Sequence, residues 1–303
     1  MLLDMKSRPL LLPIVTSLCG LLALFLLAAP PRKPPRGPHQ EALLPRQDVL
    51  RVIGRGYIPL IADYLWIQLV QTAGRAVTAE EYRDLYPYAE LITNLDPHFD
   101  MVYRFAAGAL PTNLGRETWV NTEESTRLLR KGLKLFPNDL KMNMLLAYNL
   151  STFEKNYQEA AQVTERASKL PGAPAYLPQL ATRLYAQAGS VDAGLALAQS
   201  LVDSAEDEAT RQLFEQRIRD LELEAELLRV DAAIARFRET FGGPPPDLDT
   251  LSWLGFLPVP PHDPQGGGFF IGRDGRAYSK TQRRLEIFTP FNRGGGWSAP
   301  AEP

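Results

Sequence analysis

The chain has 303 residues, 45% hydrophobic and 22% charged, a composition that excludes wholesale disorder and supplies enough apolar material for a real core. Its 33 Lys and Arg against 35 Asp and Glu leave a formal net charge of −2, which argues against a basic nucleic-acid binder. Three His and one Cys are too few for a Cys/His zinc site and leave no partner for an internal disulfide.

A short stub, residues 1–9, precedes the first element. No charge occurs between Arg8 and Arg32, and residues 10–29 supply the roughly 20 apolar helical positions needed to cross a hydrocarbon core of about 30 Å. Pro13 falls in the first turn, where its missing N–H costs little. The stretch reads as a transmembrane signal anchor. Cleavage as a signal peptide fits less well, because Leu27 occupies the −3 slot and Pro30 follows Ala29. Attachment through a lipidated Cys19 fits less well again, because bulky Leu18 precedes it and apolar residues continue beyond Gly20. Lys6 and Arg8 nearly balance Arg32, Lys33 and Arg36 across the span. With the short end inside, the expected location is the bacterial inner membrane, single-pass, with the folded part in the periplasm. Residues 30–44 form a spacer in which five of the nine positions from Pro30 to Pro38 are proline, favouring a stiff polyproline II segment. Its cations either flank the span or rest on anionic headgroups.

Residues 45–97 read as N-terminal helices. One helix is predicted from Pro45 to Arg75, with an apolar stretch from Tyr57 to Val70 interrupted only by Asp63 and Gln68. It is too short to span a membrane and is expected in the core, with a membrane-surface or partner-docking role as the alternative. Thr78 and Glu81 have capping-box spacing and begin the next helix. Pro87 is expected to kink it, and Asn94-Leu95-Asp96-Pro97 to end it.

A period follows over residues 98–205. Pro137, Pro171 and Ala205 stand 34 residues apart, as do Leu129, Val163 and Leu197, Ala147 and Ala181, and Leu150 and Leu184. Such a period, with small residues at helix crossings and proline after the second helix, resembles the tetratricopeptide repeat family. The match is clearest in residues 140–171, with Ala147, Ala160 and Ala167, and in 174–205, with Ala181, Ala193 and Leu197. The unit at 98–137 keeps Leu129 and Gly132 but carries an insertion from Gly115 to Val120, so the repeat count stands between three and five. The resemblance implies an all-α, tetratricopeptide-like helical-hairpin solenoid, because a single hairpin cannot bury its apolar stripe alone.

Residues 206–241 read as one long capping helix. Its predicted stripe is Leu213, Phe214, Ile218, Leu221, Leu228, Ile234 and Phe237, with a polar outer face from Glu222, Glu224, Glu226 and Arg229. Gly242-Gly243-Pro244 stops it, and residues 242–288 form a small β-hairpin module. There Asp247 caps a short helix to Trp253, and Phe269–Ile271 and Ala277–Ser279 flank a turn through Asp274-Gly275. Together with Gly255-Phe256-Leu257-Pro258 and Asp263-Pro264-Gln265-Gly266-Gly267, this order resembles the C-terminal part of type II secretion pseudopilins; a local hairpin capping the solenoid is the alternative. Residues 289–303 are Gly- and Pro-rich and are expected to be disordered.

No Gly-x-Ser-x-Gly elbow, P-loop, His-Glu-x-x-His or dinucleotide fingerprint occurs, so no catalytic residue and no cofactor are expected and the chain is not read as an enzyme. Asp96-Pro97-His98-Phe99-Asp100 reads as repeat-boundary punctuation. Asp247, Asp249 and Asp263 are oxygen ligands for a hard cation in principle, but capping and turn roles explain them, and no metal is expected. The tetratricopeptide resemblance places a concave groove on the first helix of each unit, with Lys141, Met144, Tyr148 and Ser151 in one, and Ala175, Pro178, Thr182 and Tyr185 in the next. Met, Tyr and a single Lys suit an extended or helical peptide; the alternative is that the tyrosines pack at helix crossings. The expected function is a membrane-anchored scaffold binding a protein partner in the bacterial cell envelope, in its sharper form within pilus or secretion-system assembly. The alternative is an envelope enzyme or ligand-binding protein using the C-terminal module.

Overall fold

The computed structural model describes residues 43–115, 118–282 and 284–285. The expected membrane span, most of the spacer and the C-terminal tail lie outside them. Among the described residues no helix is long and apolar enough to cross a membrane. The described chain is mostly helical, with one two-stranded antiparallel sheet.

The N-terminal part holds α1 (Gln47–Ile53), α2 (Ile58–Arg75), α3 (Ala79–Arg83) and α4 (Leu85–Leu95). The single helix expected over Pro45 to Arg75 is two. Gly54 ends α1, Gly56 takes φ +85°, and Pro59 sits in the first turn of α2, where it needs no N–H partner. The capping box at α3 is present: Thr78 Oγ1 accepts from Glu81 N at 3.2 Å, and Glu81 accepts from Thr78 N at 3.2 Å. Pro87 kinks nothing. The chain breaks at Asp84 and Pro87 falls in the first turn of α4.

Three successive helix pairs follow: α5 (Asp100–Ala109) with α6 (Thr122–Leu133), α7 (Leu140–Thr152) with α8 (Tyr157–Ser168), and α9 (Leu177–Gln187) with α10 (Val191–Asp203). The insertion between α5 and α6 closes on itself through an isolated bridge, Thr112 to Val120. Each helix packs on its neighbours in sequence. Residues one 34-residue period apart share their burial: Leu129, Val163 and Leu197 are buried, as are Ala147 and Ala181, and Leu150 and Leu184. One hydrophobic core runs from Ala62 of α2 to Leu197 of α10. Of the expected small crossing residues, Ala193 is exposed, and its neighbour Gly194 makes the close approach instead. Arg104 of α5 joins adjacent pairs by donating to Asp139 at 2.6 Å, and Asp139 also caps α7 by accepting from Met142 N at 2.8 Å.

Then α11 (Glu208–Phe241) runs for 34 residues, from an Asp207 cap to Gly242 at φ +76°. Of the expected polar outer face, Glu222 is exposed, Glu226 and Arg229 are half-buried, and Glu224 is buried. Leu223, Leu227, Val230, Ala233, Ile234 and Phe237 join a second core with Leu251 of α12 (Leu248–Trp253), Leu257, Ile271 and Ala277. Glu224 is buried and accepts from Arg284 at 2.8 and 3.0 Å, while Arg284 also bonds Asp231. The expected hairpin is present, with β1 (Phe269–Ile271) pairing β2 (Ala277–Ser279) in the register Phe270 to Tyr278. Asp231 accepts from Ala277 N at 2.7 Å and so ties β2 to α11.

Helix approach at Gly132 is tight: a Cβ there meets the Tyr103 ring at 2.9 Å and Met142 Sδ at 3.0 Å. Gly132→Val therefore lowers unfolding free energy by about 1–3 kcal/mol through overpacking. Gly74→Ala, in open space within α2, raises it by up to about 1 kcal/mol through helix propensity. Urea denaturation of the two variants beside the parent reads both, and equal effects would refute the packing argument. Arg284→Met leaves the buried Glu224 carboxylate without its counter-charge and is expected to cost about 3–5 kcal/mol, seen as early proteolytic release of the module.

Candidate partner-binding cleft

Between α7 and α9, over α8, lies a cleft of about 200 Å³. Met144, Ala147, Tyr148 and Ser151 of α7 form one wall. Tyr176, Leu177, Leu180 and Leu184 form the other, and Thr164 and Ala167 of α8 form the floor. Helical spacing explains the α7 wall: positions 144, 148 and 151 recur at four and three residues and share one face. On α9, positions 177, 180 and 184 do the same.

No charged side chain lines the cleft, and the hydroxyls of its wall and floor, Ser151 and Thr164, are already engaged. Ser151 Oγ donates to Ala147 O at 2.8 Å and Thr164 Oγ1 to Ala160 O at 2.7 Å, each within its own helix. At the rim, Tyr148 and Tyr176 each leave about half of their surface in solvent, at 50% and 52%. Tyr148 meets Phe153 edge-on at 5.5 Å, and Phe153 in turn meets half-exposed Trp119 at 5.3 Å, so an aromatic row leads away from the cleft. Phe153 also borders a shallow polar depression beside Arg127, Arg130, Lys131 and Lys134 of α6 and its C-terminal turn. Three of those cations have local partners: Arg130 pairs with Glu159 at 2.8 Å, Lys131 donates to Thr93 and Asn94 at 2.7 Å, and Arg127 lies over the Tyr86 ring at 5.6 Å.

Of the expected groove residues, Met144, Tyr148 and Ser151 come together in the cleft, and Lys141 lies exposed on the same helix outside it. Thr182 and Tyr185 do not line it. Both are buried: Thr182 Oγ1 donates to Gln179 O at 2.8 Å, and Tyr185 OH crosses to Glu165 Oε2 of α8 at 2.8 Å. The packing alternative therefore describes Tyr185. Ala175 and Pro178 border a separate hollow toward Asp207 and Phe214. Tyr176 and the Leu177-Leu180-Leu184 stripe went unrecognised, although the 3.6-residue period carried the signal.

In the C-terminal module Asp247 and Asp263 have protein partners, and Asp249 is exposed in the first turn of α12. Asp247 accepts from Thr250 N and Oγ1, and buried Asp263 accepts from Gln265 N, Gly267 N and Ser279 Oγ. Among the described residues no three His, Cys, Asp or Glu side chains gather in a metal-holding group. No protein-family model matches the chain, and no curated protein matches it.

The Tyr185–Glu165 contact has a pH signature. Burial, with the Glu165 hydrogen bond and charge adding to it, pushes the Tyr185 phenol up to about 12. Burial raises the Glu165 carboxyl, but the hydrogen bonds from Lys169 and Tyr185 and the Lys169 charge outweigh it and hold the group below its ordinary value. A phenol raised on folding contributes stability that is complete below its unfolded value of 10.0 and is lost as pH climbs toward about 12. The depressed carboxyl contributes stability present above 4.5 and lost as pH falls below it. Urea midpoints measured against pH are expected to fall more steeply above pH 10 in the parent than in Tyr185→Phe; parallel curves would show that the pair carries no linkage.

Proposed function

We propose that the protein is a membrane-anchored scaffold of tetratricopeptide-like hairpins. Residues 10–29 hold it in the bacterial inner membrane, and the cleft between α7 and α9 receives an apolar side chain carried on a helical or extended segment of another protein. The observation that carries this reading is the chemistry of the cleft. An uncharged lining whose Ser151 and Thr164 hydroxyls are engaged within their own helices offers no counter-charge to an ionic ligand, and a volume of about 200 Å³ suits an apolar side chain rather than a whole cofactor. Half-exposed Tyr148 and Tyr176 at the rim are the residue type that anchors peptide segments, combining apolar area with a polar tip and few rotatable bonds. The 34-residue equivalence of Leu129, Val163 and Leu197 supports the repeat reading. The hairpin behind a Gly/Pro break supports the sharper form, in which the partner belongs to a pilus or secretion assembly.

A photocrosslinking residue in place of Tyr148 in the full-length protein, in bacterial cells, is expected to join a discrete protein partner. One in place of exposed Ala196 on α10 is expected not to. Replacing Tyr176 by Ala is expected to reduce the Tyr148-site crosslink by about tenfold, as for a central aromatic anchor, without lowering the thermal midpoint. Equal crosslinking at both positions, or loss of partner only on truncation at Gly242, would move the binding site elsewhere.

A further inference from the structure

The helix α2 is apolar on two faces, and the core accounts for only one. Ala62, Leu65 and Leu69 are buried, and Trp66 packs against Phe99 and Phe105 with ring centroids 5.7 and 5.1 Å away. On the opposite side Tyr57, at the N-cap, and Leu60, Tyr64 and Ile67 recur at three, four and three residues, which places them in one stripe. Each has half or more of its surface in solvent. Val49, Val52 and Ile53 of α1 are exposed as well. The exposed arc of α2 carries two charges, Asp63 on its flank beside Val70 and Arg75 in its last turn. Exposed cations stand at the adjoining end, Arg51 on α1 and Arg55 between the helices.

We propose that this stripe lies on an anionic lipid bilayer, making a second membrane contact beside the anchor; the inference rests on residues 10–29 being membrane-embedded. Four features choose lipid over another occupant. The chain arrives from an apolar stretch ending at Ala29, with 27 residues between it and Tyr57, and at a maximum of about 3.3–3.6 Å per residue this tether is long enough for the stripe to reach the surface. Those residues carry Arg32, Lys33 and Arg36, which complement anionic headgroups. Tyr57 and Tyr64 are amphipathic rings suited to the headgroup boundary. A shallow apolar stripe with a charged flank matches the depth of about 5–10 Å at which interfacial helices settle. The resulting contact would hold the N-terminal end of the helical body on the membrane and leave the cleft on α7 to α9 free for a protein partner.

The test uses the full chain with Cys19→Ser and a single added thiol, Ile67→Cys or Ala196→Cys, each carrying an environment-sensitive dye, in vesicles of phosphatidylcholine and phosphatidylglycerol with brominated acyl chains. The dye at 67 is expected to be quenched at least about twofold more than the dye at 196, with the difference shrinking when phosphatidylglycerol is omitted. Resistance to alkaline carbonate extraction reads the anchor separately. Protein that resists extraction with dye 67 unquenched and water-exposed overturns the stripe and spares the anchor, whereas release by carbonate overturns the anchor reading itself. Dye 67 shielded from water yet unquenched by brominated lipid assigns the stripe to a protein partner or a second copy and also overturns the proposal. The triple variant Leu60→Gln, Tyr64→Gln, Ile67→Gln keeps the core-facing side intact. It is expected to retain the parent's melting temperature while losing the difference in quenching of a dye at Val70→Cys.

Discussion

The helical body depends on how closely its helices approach, and two glycines mark where that approach is tightest. At Gly132 the α6 backbone lies against the Tyr103 ring of α5 and the Met142 sulfur of α7, so three helices from two pairs meet at a position with no side chain. At Gly194 the backbone of α10 lies against Thr182 and Tyr185 of α9 and Leu221 of α11, where an added Cβ has 3.3 to 3.4 Å to each neighbour. Ala160 and Ala181, fully buried, extend the same rule to the central pairs. Small residues at crossings bring backbones together and oblige the larger side chains to lie to either side. The cleft is one consequence. With Ala147 and Ala167 in its lining, the space between Met144 and Leu180 stays open where larger residues would fill it.

The second determinant is that α11 serves two cores. At 1.5 Å per residue its 34 residues run about 50 Å. Phe214 and Leu221 face the helical pairs, whereas Leu227 to Phe237 carry α12 and the hairpin. Where the middle of α11 is buried between them, Glu224 and Asp231 are tolerated because Arg284 and the β2 backbone satisfy them. Such a network contributes less to net stability than to register. Its members have fixed partners, and a slipped hairpin would leave the buried Glu224 charge unpaired.

The 34-residue period carried most of the middle of the molecule: residues related by it share burial, and the starts of α7, α8 and α11 follow their caps at Asp139, Asn156 and Asp207. Legibility failed where one pattern admits two packings. The helical pattern from Pro45 to Arg75 reads as continuous because hydrophobic periodicity does not register the positive φ at Gly56. Glu222, Glu224 and Glu226 look alike in sequence, yet only the return of the chain some sixty residues later decides that Glu224 is buried. The cleft was legible by half. Positions 144, 148 and 151 follow from helix geometry, whereas assigning Thr182 and Tyr185 to the same surface required the rotation of α9 about its axis, which Leu177 and Leu184 determine by facing the opening themselves.

The cleft and the α2 stripe are both apolar surfaces of the described residues, and their shapes separate the uses proposed for them. The cleft is concave, bounded on three sides and rimmed by tyrosines, so only an object with a protruding apolar group gains contact on all its walls. The α2 stripe is convex, a single row of side chains along one helix, and gives a folded partner little to grip without a complementary groove of its own. A fluid apolar medium needs no such complement, because it conforms to whatever row is presented. On shape alone the concave site favours a protein and the convex one favours lipid, and the cations near the stripe and the absence of charge in the cleft divide the two in the same direction.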